Sequence, residues 1–184
     1  MTVRVIGVGG CGSNTVKNVC NMGLQDVEFV IVTPSKESKG SLVSRPQECG
    51  RLHDDSLKHC IIDSDIDNWE DNLRPILNDC PEKIIVVAGT GGVYSAKVAA
   101  AILLLHKNIA GDNAHSIAFV TTPFAFERRG AKSAEDLETL GKQASKTVIF
   151  DNNQLRKMTD KSMNEAFATV DQKLAEIISE SIHE

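Results

Sequence analysis

Aromatic residues are scarce in this 184-residue chain: six Phe, one Trp and one Tyr, 4% of the whole. A surface that holds single-stranded nucleic acid by stacking needs several exposed aromatic faces, so a supply this small argues against one. Positive charge is short as well. Twenty Lys and Arg stand against 25 Asp and Glu, a net charge of −5, whereas a phosphate-backbone binder carries a basic surplus. No apolar run approaches the roughly 18 residues a bilayer span requires. The longest, Val98 to Leu105, is bracketed by Lys97 and His106. The first strand-like segment follows directly on Met1, without the charged, apolar and small-residue pattern of a leader. The cysteines (Cys11, Cys20, Cys49, Cys60 and Cys80) are odd in number and widely spaced. That suits free thiols better than a disulfide framework. The expectation is a cytoplasmic protein with no nucleic-acid partner and no direct membrane insertion.

What is present is an alternation of two hydrophobic periods. Hydrophobic residues make up 41% and charged residues 24% of the chain, enough for one domain with a proper core over 1–184. Val3 to Val8, Val27 to Val32, Lys83 to Ala88, His115 to Thr121 and Thr147 to Phe150 read as strands. The first is broken only by Arg4, as a strand buried on both faces would be. Between them the pattern predicts helices: Ser13 (as cap) to Met22, ended by Gly23; Ile66 to Leu77, disturbed by Pro75; Val93 to Lys107; and Ala131 to Ser145. A final helix places Met163, Ala166, Phe167, Val170, Leu174, Ile177 and Ile178 at helical spacing. Ser35 to His59 reads as loop with room for one short element. Strand, turn and helix in repetition predict an α/β fold, a three-layer, doubly wound and mostly parallel Rossmann-like sheet.

In such a sheet ligands sit beyond the carboxyl ends of the strands. Two glycine-rich turns lie there. Residues 7–12, GVGGCG, satisfy G-x-G-x-x-G between a strand and a helix, where bare backbone and a helix N-terminus favour a phosphate. AGTGG, Ala88 to Gly92, is the second. The same glycines would also serve tight turning and helix–strand packing alone. A dinucleotide site would want an acidic residue at the end of the second strand. Thr33-Pro34-Ser35 stands there, Glu28 is too early and Glu37 too late, so an NAD-dependent enzyme becomes the lesser alternative.

VIGVGGCGSNTV, VEFVIV, VVAGTGG, VTTPFAFE, VIFDNNQL and EAFATVDQ occur in that order across nearly the whole chain. Together they resemble the GTPase domain of FtsZ, the prokaryotic tubulin-like cell-division protein, and the DNN at Asp151 to Asn153 is most similar to archaeal members. The resemblance implies GTP or GDP as ligand, with Mg2+ as the phosphates' companion. Gly9, Gly10, Cys11, Gly12 and Ser13 would line the first phosphate loop, and Asn14 would face the guanine or ribose. Gly89, Thr90, Gly91 and Gly92 belong to the second loop. Glu127 would bind ribose hydroxyls, with Arg128 or Arg129 near it. Asn152 would hydrogen-bond guanine, Phe167 would stack on it, and Asp171 would accept its N1–H and amino protons. A carboxylate suits that edge chemically, because guanine offers adjacent donors there. Phe167 and Asp171 are four apart and share a helix face. Plain core packing of Phe167 and a solvated Asp171 are the competing readings. The partners implied are a guanine nucleotide and a full-length FtsZ-like protein or a second copy of the chain.

The chain also departs from that family. Its second loop continues GGVYSAK where the family has GGGTGTG, so Val93 and Tyr94 could obstruct the phosphates and Lys97 could replace backbone donors. The second strand ends TPS in place of NTD, and Gly40 to Cys60 is no glycine-rich γ-phosphate loop. The family's acidic catalytic loop follows the last helix, so no catalytic residue is assigned and efficient GTP hydrolysis by this stretch alone is not expected. The opposing functional reading is an interaction domain that has lost its nucleotide. Cys49, His53, His59 and Cys60 fit no zinc template, no G-x-S-x-G marks a hydrolase nucleophile, and the acidic clusters at Asp54-Asp55 and Asp63 to Asp71 read as solvated faces. No metal site is expected.

Overall fold

Six strands lie side by side in the order β3-β2-β1-β4-β5-β6, and every pairing is parallel. The structure is a computed structural model and describes residues 3–34, 57–62, 69–78, 83–157 and 162–183. In chain order the elements are β1 (Val3–Val8), α1 (Gly9–Cys20), β2 (Val27–Pro34), β3 (Leu57–Ile62), α2 (Trp69–Leu77), β4 (Lys83–Gly89), α3 (Ser95–Ala110), β5 (His115–Thr122), α4 (Gly130–Gln143), β6 (Lys146–Asp151) and α5 (Met163–His183). Short 3-10 turns cover Gly111–Asn113, Ala125–Glu127 and Asn152–Lys157.

The central strands are apolar on both faces because helices cover both. Alternation divides each strand between two cores. Val3, Val5, Phe29, Ile31, Ile85, Val87 and Phe119 pack with Val16 and Val19 of α1 and with Val170, Leu174 and Ile178 of α5. Ile6, Val8, Val30, Val32, Val86 and Val120 pack with Leu73 and Leu77 of α2, with α3 and with Leu140 of α4. At about 1.5–3 kcal/mol for each fully buried large aliphatic side chain, these two layers dominate the stability of the fold. Arg4, the interruption in β1, is 4% exposed. Its Nε donates to Glu28 Oε2 of the neighbouring strand at 2.7 Å. Its Nη1 donates to the carbonyls of Ile76 and Asn78 at 2.8 and 3.2 Å. A buried guanidinium thus closes the C-terminus of α2, where the helix dipole favours a cation.

Several sequence expectations need correction. Ser13 does not cap α1: the helix starts at Gly9, its N-cap position is Val8, and Ser13 is buried inside it. The glycines that read as turn are helical because Gly12 must pass close under β4; a Cβ there would overlap Val87 O. The α3 helix begins at Ser95, not Val93, and runs to Ala110. Strand β3 includes Leu57 to His59, which read as loop. It pairs with β2 alone, so nothing required the apolar run that marked the central strands. α4 and β6 differ from expectation by one or two residues at each end, and α2 is described from Trp69 onward. The Cys49 and His53 of the weak metal constellation lie outside the described residues.

Candidate functional site

The strand order reverses between β1 and β4: from β1 the sheet grows through β2 and β3 on one side and through β4, β5 and β6 on the other. Such a switch point opens a crevice at the carboxyl ends of its two strands. Both glycine loops stand there, one leading from β1 into α1 and the other from β4 into α3. They touch. A Cβ on Gly9, which sits at φ +70°, would overlap Ser95 Oγ at the start of α3. Gly89 packs against the Cys11 side chain, with Thr121 Oγ1 beside it.

The two loops differ in what occupies their donors. No side chain caps α1 among the described residues. Its first-turn N–H groups keep the partial positive charge of a helix N-terminus. Gly10, Cys11 and Asn14 are exposed on that end. The second loop is tied inward. Thr90 N donates to Thr121 O at 3.0 Å, and its hydroxyl donates to the same carbonyl at 3.2 Å and lies 2.5 Å from Ser133 Oγ. Gly91, at φ +80°, donates its N–H to Asp136 Oδ2 at 2.9 Å. Gly92 has open space where a Cβ would be. Tyr94 does not plug the crevice: it packs into the core under α3, while Val93 is 94% exposed.

Across α1 lies α5. Asp171 is 6% exposed, and Asn18 Nδ2 of α1 donates to its Oδ2 at 2.8 Å. Burial pushes the Asp171 carboxyl above its usual range, and the Asn18 bond offsets part of that. Asp171 is therefore not the solvated helix acid that composition alone would allow. Phe167, one turn earlier, is 39% exposed and is not a core residue like its neighbours Ala166 and Val170. It meets Phe124 edge-on at 6.5 Å, and Phe124 stacks on Phe126 at 5.1 Å. Cys11 joins the two sides. Its Sγ lies 3.2 Å from Thr121 Oγ1. Although the residue reaches the surface, desolvation of the sulfur raises the thiol pKa, Thr121 lowers it, and the charges of Asp171 and Glu127 raise it further.

After β6 the chain turns sharply on Asp151. Its Oδ1 accepts from Asn153 N at 2.9 Å, Asn153 Nδ2 at 2.8 Å and Thr122 Oγ1 at 3.2 Å. These bonds, the Asn153 backbone N–H first, hold its carboxyl below the usual range. The turn buries Asn152 and leaves its Oδ1 without a hydrogen-bond partner among the described residues. A buried amide oxygen left unpaired costs about 1–3 kcal/mol, so it marks a place where a donor is wanted. Glu127 is held by its own turn, Phe124 N donating to its Oε1 at 2.9 Å, and its Oε2 lies 3.8 Å from Arg129 Nη1. Arg128 is exposed, in the left-handed region at φ 55°.

The structure thus brings Cys11 beside Thr121 and Gly89, joins α1 to Asp171, and sets Phe167 against Phe124. It turns Thr90 away from the crevice, and it buries Ser13, whose Oγ lies 3.5 Å from Gly7 O. Sequence reading missed Asn18, Thr121, Ser133 and Asp136. Spacing held a signal for three of them: Asn18 follows Asn14 by one turn, and Ser133 and Asp136, three apart, share one face of α4. A separate groove of about 480 Å³, lined by Met22, Leu24, Gln172, Ala175 and Glu176, lies between the end of α1 and the middle of α5, away from both loops.

No protein-family profile matches the chain. Among curated proteins it is similar to cell division protein FtsZ 2 of Haloferax volcanii, 27% identical over 187 residues, covering 96% of this chain and 45% of that protein. Among solved structures it is similar to a point mutant of FtsZ from M. jannaschii, with a TM-score of 0.71, 19% identity, and coverage of 96% of this chain and 55% of that one. It is also similar to GDP-bound, monomeric CetZ1 from Haloferax volcanii, with a TM-score of 0.67, 14% identity, and coverage of 96% and 58%. The chain spans about half the length of these proteins. Taken with the parallel sheet and its paired glycine loops, these likenesses support an FtsZ/tubulin-type nucleotide-binding fold for the chain.

Proposed function

We propose that the chain binds a guanine nucleotide, GTP or GDP, in the crevice between its two glycine loops, and that it associates with or modulates FtsZ-type filaments in cell division or the cytoskeleton. The observation that carries this reading is a pair of buried acceptors. Asp171 is a buried carboxylate with a raised pKa, and Asn152 Oδ1 is buried without a donor. Guanine's N1–H and amino protons are donors of the kind Asn152 Oδ1 lacks and that Asp171 can accept in addition to Asn18, and a charge-assisted pair is about twice as strong as a neutral one. Phe167 supplies an exposed aromatic face one turn from Asp171. The uncapped start of α1, with Gly9, Gly10, Cys11 and Gly12, supplies donors for phosphate. Asn14 and Glu127 stand toward the sugar in this reading, and Arg128 brings positive charge beside it. The CetZ1 relative is GDP-bound, which fits the same assignment.

No group of three or more His, Cys, Asp or Glu side chains among the described residues could hold a metal. In this reading a magnesium ion would enter on the nucleotide's phosphates. The alternative, an assembly domain that ignores nucleotide, predicts a folded protein with no heat of binding. NAD binding is disfavoured further by Glu28, the acid of β2, which is engaged by Arg4 at 2.5 Å. Titration by calorimetry with GDP, GTP, ATP and NADH separates these readings. Saturable binding of the guanine nucleotides, abolished by Asp171→Ala, is expected. Indifference to millimolar GDP and GTP would leave the assembly reading. Sedimentation with and without a full-length FtsZ then tests the partner: co-pelleting or an altered polymer yield is expected.

A further inference from the structure

Two polar residues of α4 reach across to the second glycine loop. Ser133 and Asp136 are 4% and 5% exposed. Ser133 Oγ meets Thr90 Oγ1, and Asp136 Oδ2 accepts the Gly91 N–H at 2.9 Å. Asp136 Oδ1 is gripped in turn by Lys132 Nζ, whose side chain is half exposed. In a loop that binds phosphate, backbone N–H groups are the donors that neutralise the anion. Here one of those donors already holds a carboxylate, and the N–H of Thr90 goes to Thr121 O. Among the described residues no side chain caps the first loop's helix in this way. The crevice therefore has one glycine loop ready for an anion and one partly filled by an anion of its own.

We propose that Asp136 is a specificity-determining residue that fills part of the second loop with an internal carboxylate, so that the chain holds the guanine nucleoside diphosphate in preference to the triphosphate. This rests on the nucleotide reading above. Each added phosphate oxygen brings charge to a loop with fewer free donors and a resident negative group, and like charges at close range are unfavourable. Lys132 partly screens that group, so the two side chains act in opposite directions.

The experiment is a calorimetric titration of the whole chain with GMP, GDP and GTP in one magnesium buffer. Wild type is expected to bind GDP about tenfold more tightly than GTP, a difference of about 1.4 kcal/mol. Asp136→Asn keeps an oxygen for the Gly91 N–H and removes the charge. It is expected to narrow the GDP-to-GTP ratio severalfold while GMP affinity stays within about twofold. Lys132→Met, a change on an exposed side chain, is expected to widen the ratio. Unfolding midpoints of both variants are measured alongside, and the Lys132 variant keeps the question open if the Asp136 variant fails to fold. Equal or tighter binding of GTP by wild type overturns the inference, as does a ratio that neither variant moves. If no guanine nucleotide binds, the nucleotide reading falls and this inference falls with it. If GMP and GDP bind but the ratio is flat, only the inference falls.

Discussion

The two glycine loops look alike in sequence and behave differently in structure. GVGGCG runs straight into a helix that starts at Gly9 with no side-chain hydrogen bond capping it among the described residues. AGTGG continues as irregular backbone through Tyr94 and is tied down by Thr121, Ser133 and Asp136 before α3 begins. The first loop is shaped by backbone meeting backbone, since Gly12 passes under β4 at Val87 O. The second is shaped by polar side chains reaching in from α4. The difference teaches that a glycine-rich turn is defined by where its N–H groups end up, not by its glycines.

Breaking the first loop should have the largest effect on stability. Gly12→Ala places a Cβ on a main-chain oxygen that cannot move aside, and it is expected to cost about 2–4 kcal/mol, read as a lowered thermal midpoint. Gly92→Ala meets open space and is expected to shift stability by less than about 1 kcal/mol. Equal costs at the two sites would erase the contrast.

The next effect concerns binding. Asp171→Asn is expected to weaken GDP by about 2–3 kcal/mol while leaving the unfolding midpoint unchanged or higher, because a buried carboxylate is removed. In wild type, protons compete with the base for Asp171. Burial raises its pKa in the free protein, so GDP affinity should rise as pH climbs through that value and level off above it. The Asn variant should show no such rise. A wild-type profile that is flat from the usual carboxylate range to neutrality would contradict the role.

Asp151 sharpens the same side of the crevice. Asp151→Ala removes the three bonds that shape the turn around Asn152 and Asn153 and should cost about 1–3 kcal/mol at neutral pH. Its folded pKa is depressed. The stabilisation is therefore complete above the unfolded value of about 3.9 and is lost as pH falls through the folded one. The gap between wild type and variant, followed by denaturant unfolding, should close at strongly acid pH. Val93→Gly is the smallest change. The side chain is almost wholly exposed, so stability should move by less than about 1 kcal/mol, and GDP affinity should hold within about twofold if that side chain does not obstruct the phosphates.

Most strands were legible in the sequence because β1, β2, β4 and β5 are buried on both faces and read as continuous apolar runs. β3 was not, since Lys58 and His59 interrupt its apolar residues and among the described residues it pairs with β2 only. The glycine loops could be found from their motif, and the α5 pair Phe167 and Asp171 came from the FtsZ resemblance, with their four-residue spacing consistent with it. What could not be read was how side chains from distant elements close on them. Asn18 reaches Asp171 across 153 positions, and Asp136 reaches Gly91 across 45. Their partners are set by how α1 packs on α5 and α4 on the second loop, which no local pattern encodes. Ser13 misled for the opposite reason. It is a good capping residue, but the close passage of Gly12 under β4 starts the helix one turn sooner.

The most direct test is a side-by-side titration of the chain with GDP and ADP at neutral pH, for wild type and for Asp171→Asn. The account predicts saturable binding of GDP to one site in wild type, far weaker binding of ADP, and loss of that preference when the carboxylate becomes an amide. Equal affinity for the two purines in wild type, or a guanine preference untouched by the substitution, would contradict it.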